Sequence, residues 1–164
     1  MQTKEQLIHV DVDDKIIGTT TKSEAHKNGL IHRVAAIFVF NHKGELLLQH
    51  RREDGLVEHS VGGHVRLGET YHQAAQRELL EELGIESHLA KIGKLLSDRE
   101  YKHYFTLFKT QYDGDFQINH NEVIGVYFQN LSEIAKDLKQ SPQKYTQGFI
   151  DTFDFYILKI NHPS

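Results

Sequence analysis

The 164-residue chain contains no cysteine and no tryptophan. Without cysteine there can be no disulfide, no thiolate nucleophile and no cysteine-based zinc centre. Positive charge is not in excess either: 19 Lys and Arg stand against 23 Asp and Glu, for a formal net charge of −4. That balance argues against a protein that coats a nucleic-acid polymer, although a local metal site could still accept a nucleotide. No apolar run approaches the ~18 residues that a membrane span requires, so no membrane association is expected. The opening segment, Met1-Gln2-Thr3-Lys4-Glu5, lacks the apolar stretch of a secretion signal, which makes a cytoplasmic location the expectation.

What is present is a globular composition, 38% hydrophobic and 26% charged, with length enough for one domain and its own core. No repeat, low-complexity tract or linker divides the chain, so residues 1–164 read as a single domain. The twelve histidines are spread along it, and taken singly each reads as a surface or loop residue.

Leu7–Val12 and Lys15–Thr19, separated by Asp13-Asp14, predict an N-terminal hairpin, and Thr21–Asn28 a short helix stopped by Gly29. The apolar run Val34–Phe40, the turn Asn41–Gly44 and the strand Glu45–His50 predict a second hairpin. Thr70–Leu83 carries the clearest helix signal: Thr70 and Gln73 form a capping-box pattern, and Gly84 supplies the stop. Leu89–Leu96, Tyr101–Thr110 and Val123–Phe128 read as strands, Leu131–Leu138 and Tyr145–Ile160 as helices. Hairpin-linked strands with separate helices point to the α/β class, a sheet covered by helices on both faces.

The chemistry concentrates in 63–85. At ~100° per residue, Arg77, Glu78, Glu81 and Glu82 fall within an arc of roughly 140°, with Leu79, Leu80 and Leu83 opposite. Clustered carboxylates repel one another. A hard divalent cation resolves the conflict, because Mg²⁺ takes oxygen ligands, neutralises phosphate charge and acidifies an attacking water. Arg77 could hold one carboxylate by a bidentate pair. Gly62-Gly63 permits close backbone approach, so a carbonyl could join the metal sphere, and the small Ala74 leaves room for that loop. Read alone, Glu-x-x-Glu-Glu is a solvated acidic helix face; the full string specifies nine positions over 23 residues.

The string Gly63-x5-Glu69-x7-Arg77-Glu78-Leu79-x-Glu81-Glu82-x-Gly84-Ile85 resembles a complete Nudix box. The resemblance implies an α/β/α sandwich with a mixed central sheet. It implies Mg²⁺- or Mn²⁺-dependent hydrolysis of a nucleoside diphosphate linked to another group, a small-molecule substrate, by a monomer or homodimer. By the same resemblance Glu78 and Glu82 are metal ligands, joined by Glu81 and the Gly63 carbonyl, with Glu69 as an outer carboxylate. The general base could be Glu81, Glu78 or Glu122, the last placed just before the strand that begins at Val123. Arg51 and Arg52, at a strand end, could contact phosphate oxygens, or could be surface charge.

The stretch before the box is similar to type 1 isopentenyl diphosphate isomerases and the hydrolases related to them. The shared features are Thr21-Lys22, His26, Leu30-Ile31-His32-Arg33, Gly44-Glu45-Leu46-Leu47-Leu48 and Ser60-Val61-x-Gly63-His64. That likeness implies a second divalent-metal site of His26, His32 and His64 completed by Asp98 and Glu100; relic site, substrate contact (His64) and loop histidines remain alternatives. The isomerases use a cysteine where Gly62 stands, and a tryptophan near the carbocation; this chain has neither. Isomerases also tend to lose box carboxylates, which are all kept here. The reading is therefore an isomerase-like scaffold that runs hydrolase chemistry, with isomerisation or a non-catalytic nucleotide sensor as alternatives. Tyr71, Tyr101, Tyr104 and Phe105 could stack a base, and the Phe149, Phe153, Phe155, Tyr156, Ile157 cluster could close the core or form a dimer contact.

Overall fold

The apolar run after Arg33 becomes β3 (His32–Phe40), whose nine residues are nearly all buried because neighbours cover both of its faces. The structure is a computed structural model that describes residues 4–163; Met1, Gln2 and Thr3, part of the segment read for a secretion signal, lie outside the described residues. β3 runs parallel to β8 (His103–Gln111) over its whole length, from His32↔His103 to Phe40↔Gln111. Its other edge is shared. β1 (Leu7–Val10) meets it at His9↔His32, β6 (Val61–His64) pairs along Val34–Ile37, and β4 (Leu46–Arg51) touches it at Phe40↔Leu46. β2 (Ile16–Thr20) extends the sheet beyond β1, and β7 (Ala90–Ser97) beyond β8. β5 (Val57–Glu58) and β9 (Val123–Gln129) flank β4. One parallel pair among antiparallel ones makes the sheet mixed.

The period-2 alternation of β3 divides the core into two layers. Ala35, Ile37 and Val39 face α2 (Tyr71–Leu83) through Ala75, Leu79 and Leu83. Val34, Ala36 and Phe38 face α3 (Leu131–Gln140) and α4 (Gln147–Asn161) through Ile134, Phe149 and Phe153. Each such large side chain contributes about 1.5–3 kcal/mol on burial. The architecture is thus the expected α/β/α sandwich. The C-terminal aromatics serve to close the core: Phe149, Phe153 and Tyr156 are buried, with Phe155 and Ile157 packed against them. Among the described residues no helix is long and apolar enough to cross a membrane.

Helix boundaries follow local chemistry. Thr70 and Gln73 form the capping box, and Gly84 takes the left-handed conformation at φ 67°. The same devices bracket α1 (Lys22–Asn28) with Thr21, Glu24 and Gly29.

Three expectations change. The last helix starts at Gln147, not Tyr145, because Pro142–Lys144 forms a 3-10 turn and Thr146 is the N-cap. Leu80, placed by the helical wheel on the core side, is half-exposed. The buried arc of α2 instead runs from Ala74 and Ala75 through Glu82 to Leu79 and Leu83, so carboxylate and leucine share one buried face. The hairpin between β3 and β4 forms but stops after the single pair Phe40↔Leu46. Segment 57–64 forces the two strands apart: it begins paired with β4 and ends paired with β3. Ser60 sits at the crossing. Its hydroxyl accepts the Val39 N–H (2.8 Å) and donates to the Leu47 carbonyl (2.6 Å).

Candidate active site

α2 lies across β6, and this contact decides where the box carboxylates go. A Cβ on Gly63 would stand 2.2 Å from the Glu78 carboxyl carbon, so only glycine lets that side chain cross the β6 backbone. Glu82 is buried one turn further on and accepts a hydrogen bond from Gln49 Nε2 at 2.8 Å. Glu122 reaches the same point from the loop before β9. One oxygen each of Glu78, Glu82 and Glu122 lies within 4.8 Å of the others. The Arg52 backbone N–H holds that loop through the Glu122 carbonyl at 2.9 Å.

Arg77 organises the rim. It grips Glu69 bidentately (2.6 and 2.9 Å), donates to Glu78 at 2.6 Å and to the His64 carbonyl at 3.1 Å, and touches Glu81 at 3.3 Å. The Glu69 carboxyl is consequently held below its ordinary value. Glu78 behaves oppositely: burial raises it to about 7, against the pull of Arg77. Burial raises Glu82 well above the ordinary carboxylate range, with Glu78 and Glu122 adding to the effect. Three converging carboxyl groups, two of them reluctant to ionise, are unfavourable unless a cation joins them. The donors are all oxygens, as suits Mg²⁺ or Mn²⁺, and the glycine cradle leaves the Gly63 backbone open beside them. The residues present fit the ion.

These groups line a cavity of about 510 Å³. The cavity is also lined by Arg51, Arg52 and Lys22. Arg51 is paired with Asp54 (Nε at 3.1 Å) and with Glu58 at 3.5 Å, while Arg52 donates from Nε to the His120 carbonyl at 2.5 Å. Glu58, unremarked in the sequence, is partly buried beside these cations and raised to about 7 by desolvation, with Arg51 opposing.

Beside Gly63 the cavity meets a second cluster. His26 of α1, His32 of β3, His64 of β6 and His103 of β8 each bring one ring nitrogen within 4.8 Å of the others. Ring centroids of His32 lie 5.1 Å from His64 and 4.6 Å from His103. Burial lowers His32 to about 4, His64 to about 3 and His103 to about 2, and lowers His26 as well, so the rings are neutral near pH 7. Each Nε2 is buried with no hydrogen-bond partner among the described residues. Such an orphan costs roughly 1–3 kcal/mol.

The structure thus gathers Glu78 and Glu82 with Glu122. It places Glu81 on the exposed rim, paired with Arg66 at 3.9 Å, and Glu69 behind Arg77. It brings His26, His32 and His64 together but adds His103. Glu100 lines the cavity, and Asp98 is exposed; neither belongs to the four-histidine set. Of the aromatics weighed for base stacking, Tyr101 stacks on His26 at 3.7 Å, Tyr71 donates to Asp14 at 2.9 Å, and Phe105 is buried. Sequence reasoning missed His103, Glu58 and Gln49. Alternation along Tyr101–Thr110 could have placed His103 on the face of Phe105 and Leu107, but the β3–β8 register that seats it beside His32 has no local signal.

A family profile described as NUDIX domain matches residues 30–149. An isopentenyl-diphosphate Delta-isomerase of Serratia proteamaculans is 34% identical over 161 residues, covering 89% of this chain and 88% of its own. An uncharacterised Nudix hydrolase of a Nostoc species is 34% identical over 155 residues, covering 88% and 92%. Among solved structures, a Deinococcus radiodurans protein, DR0079, superposes with a TM-score of 0.72 at 24% identity, covering 84% of this chain and 90% of its own. That last likeness concerns the fold.

Proposed function

The chain belongs to the Nudix family, and on that premise we propose that it is a divalent-cation-dependent hydrolase. Its substrate would be a small nucleoside diphosphate-type molecule, cut at a phosphoanhydride bond. The observation that carries this reading is the convergence of Glu78, Glu82 and Glu122 at the Gly63 cradle, on a box with no position missing. Glu78, Glu82 and the Gly63 carbonyl would hold the Mg²⁺ or Mn²⁺, with Glu81 and Glu69 at its margin. When bound, such an ion supplies charge for the diphosphate and acidifies water. The chain's own residues do the rest. Arg77 fixes Glu69, Glu78 and Glu81 in place. Arg52 and Lys22 offer cationic contacts to phosphate oxygens across the cavity. A carboxylate takes the proton of the attacking water as its oxygen bonds to phosphorus and the bridging P–O bond breaks. Glu122 and Glu81 are exposed, so each can reach a water for that role.

The isomerase relatives and the histidine cluster favour a second reading, isomerisation of a prenyl diphosphate. Against it stands Gly62, which has no proton-transfer group. The test is release of phosphate or monophosphate from nucleoside di- and triphosphates, nucleotide sugars, ADP-ribose and isopentenyl diphosphate, with Mg²⁺, Mn²⁺ or chelator. Cation-dependent cleavage of one substrate, lost in Glu82→Gln, is expected. Conversion of isopentenyl diphosphate to its dimethylallyl isomer without any hydrolysis would overturn the proposal. Tight nucleotide binding without cleavage would replace it with a sensor.

A further inference from the structure

We propose that α4 fixes Ser97, Gln147 and His59 as a hydrogen-bonding subsite of the cavity for the uncharged, hydroxyl-bearing part of a diphosphate substrate, with Asp151 as the positioning residue. The diphosphate end of that substrate rests on the hydrolase reading; the subsite rests on the geometry of α4. Ser97 ends β7, His59 stands between β5 and β6, and Gln147 opens α4. All three line the cavity, and all three are tied to the first turns of α4. Asp151 accepts the Ser97 hydroxyl through Oδ2 at 2.5 Å and Gln147 Nε2 through Oδ1 at 2.9 Å. The next residue, Thr152, has its Oγ1 2.7 Å from His59 Nε2. Gly148 lets this part of α4 lie against Phe105, since a Cβ there would meet Phe105 Cζ at 2.8 Å.

These ties decide where each proton goes. A carboxylate only accepts, so the Ser97 proton is given to Asp151 and the Oγ lone pairs remain. For the same reason Gln147 turns Nε2 to Asp151 and keeps Oε1 and one N–H for another partner. The Thr152 hydroxyl lies 2.9 Å from the Gly148 carbonyl and 3.0 Å from the Phe149 carbonyl, so its one proton goes to a carbonyl. It therefore accepts from His59 Nε2–H, and Nδ1 is left with a bare lone pair. Burial holds the ring down to about 3, so it is neutral near pH 7. Among the described residues no hydrogen bond engages that Nδ1. Two acceptors and one amide of both senses result, none of them positively charged. Arg99 approaches Asp151 at 3.6 Å but stays outside the cavity lining. Phosphate oxygens only accept, so they find no match in this set. A hydrocarbon would cover the His59 lone pair and leave it without a partner. A hydroxyl donates and accepts, and it matches all three.

The test compares ADP-ribose and UDP-glucose, which carry hydroxyl groups, with isopentenyl diphosphate, whose organic part carries none. Dissociation constants, or KM where a probe is cleaved, are measured on the full chain with Mg²⁺. At least one hydroxyl-bearing probe should bind about 10-fold or more tighter than isopentenyl diphosphate. Asp151→Asn keeps the bulk of the side chain but can donate where the parent only accepts, which lets Gln147 or Ser97 turn. It should weaken that probe by about 10-fold, in KM rather than in kcat, and leave isopentenyl diphosphate unmoved. If Asp151→Asn melts below the parent, Gln147→Met, which keeps the length and removes both polar atoms, provides the same readout. ¹⁵N spectra of the ligand-free chain should show His59 protonated at Nε2 and bare at Nδ1. The subsite is overturned if neither hydroxyl-bearing probe out-binds isopentenyl diphosphate, if both variants leave those probes unmoved or weaken all probes equally, or if His59 carries its proton on Nδ1. The two readings fail separately. Selective binding without any cleavage removes the hydrolase and keeps the subsite; cleavage without selectivity does the reverse.

Discussion

Substituting Gly63 with alanine should disarm the carboxylate site while leaving the fold standing. The added Cβ would stand 2.2 Å from the Glu78 carboxyl carbon and oxygen. Carbon atoms rest at about 3.5 Å, so Glu78 must retreat by roughly 1.3 Å. The obstacle is the end of a flexible side chain rather than backbone, and Gly63 has an ordinary φ, so crowding should cost only about 1–3 kcal/mol. Displacement beyond 1 Å from the reacting geometry can cost about 10²-fold in rate. The neighbouring Gly62 is the internal control, since a Cβ there meets nothing closer than His59 Nδ1 at 3.7 Å. The assay is cation-dependent phosphate release, with urea denaturation of both variants. We expect Gly63→Ala to lose about 10²-fold in kcat with a modest fall in stability, and Gly62→Ala to match the parent in both. Full activity in Gly63→Ala would refute the placement of Glu78 in the reacting site.

Other expectations follow from the same geometry. Glu82→Gln keeps an acceptor for Gln49 and replaces a buried carboxyl whose charged form burial already disfavours, so the metal-free protein should hold its stability to within about 1 kcal/mol in urea melts while cation-dependent turnover collapses; parallel losses of both would contradict this. His59, buried and hydrogen-bonded to Thr152 Oγ1 at 2.7 Å, is lowered by burial from 6.5 to about 3. The unfolded chain therefore binds one more proton between those values. The contribution of His59 is complete above pH 6.5 and is lost as pH falls toward 3, with a slope of about 1.4 kcal/mol per pH unit. His59→Gln should flatten the acid limb of urea-derived stability by that slope, and an unchanged limb would show the ring is not buried neutral. Ser60→Ala strips partners from the Val39 N–H and the Leu47 carbonyl at once, and should cost roughly 2–4 kcal/mol; a cost below about 0.5 kcal/mol would mean that the strands re-pair without the hydroxyl.

What the sequence disclosed was mostly local. The capping box at Thr70, the stops at Gly84 and Gly29, and the apolar run of β3 are written in neighbouring residues, and each appears where it was expected. The helical wheel found the acidic face of α2 but not its burial. A wheel reports angle, and only the contact with β6 turns Glu78 and Glu82 inward. The two-residue strand β5 escaped because a period cannot be read from Val57-Glu58. His103 escaped for a different reason: its partner His32 lies 71 positions earlier, and parallel register is set by the crossover between strands, not by either strand alone.

The crossing at Ser60 has a consequence for how such a cavity can change. Ladder-paired strands can shift only in whole steps, because a slip of one residue exchanges the two faces of the sheet. β3 and β4 share one direct rung and are otherwise joined through segment 57–64 and its Ser60 side chain. Their separation is therefore a continuous variable, set by the bulk and reach of the residue at position 60 and of Gln49, which donates to the Ser60 carbonyl at 3.1 Å. A change in the gap between the histidines on β3 and β6 and Arg51 on β4 would have to be taken up where segment 57–64 crosses from one strand to the other. A scaffold jointed in this way can be refitted to diphosphates of different girth by substitutions at the seam, far cheaper in structural terms than rebuilding the walls.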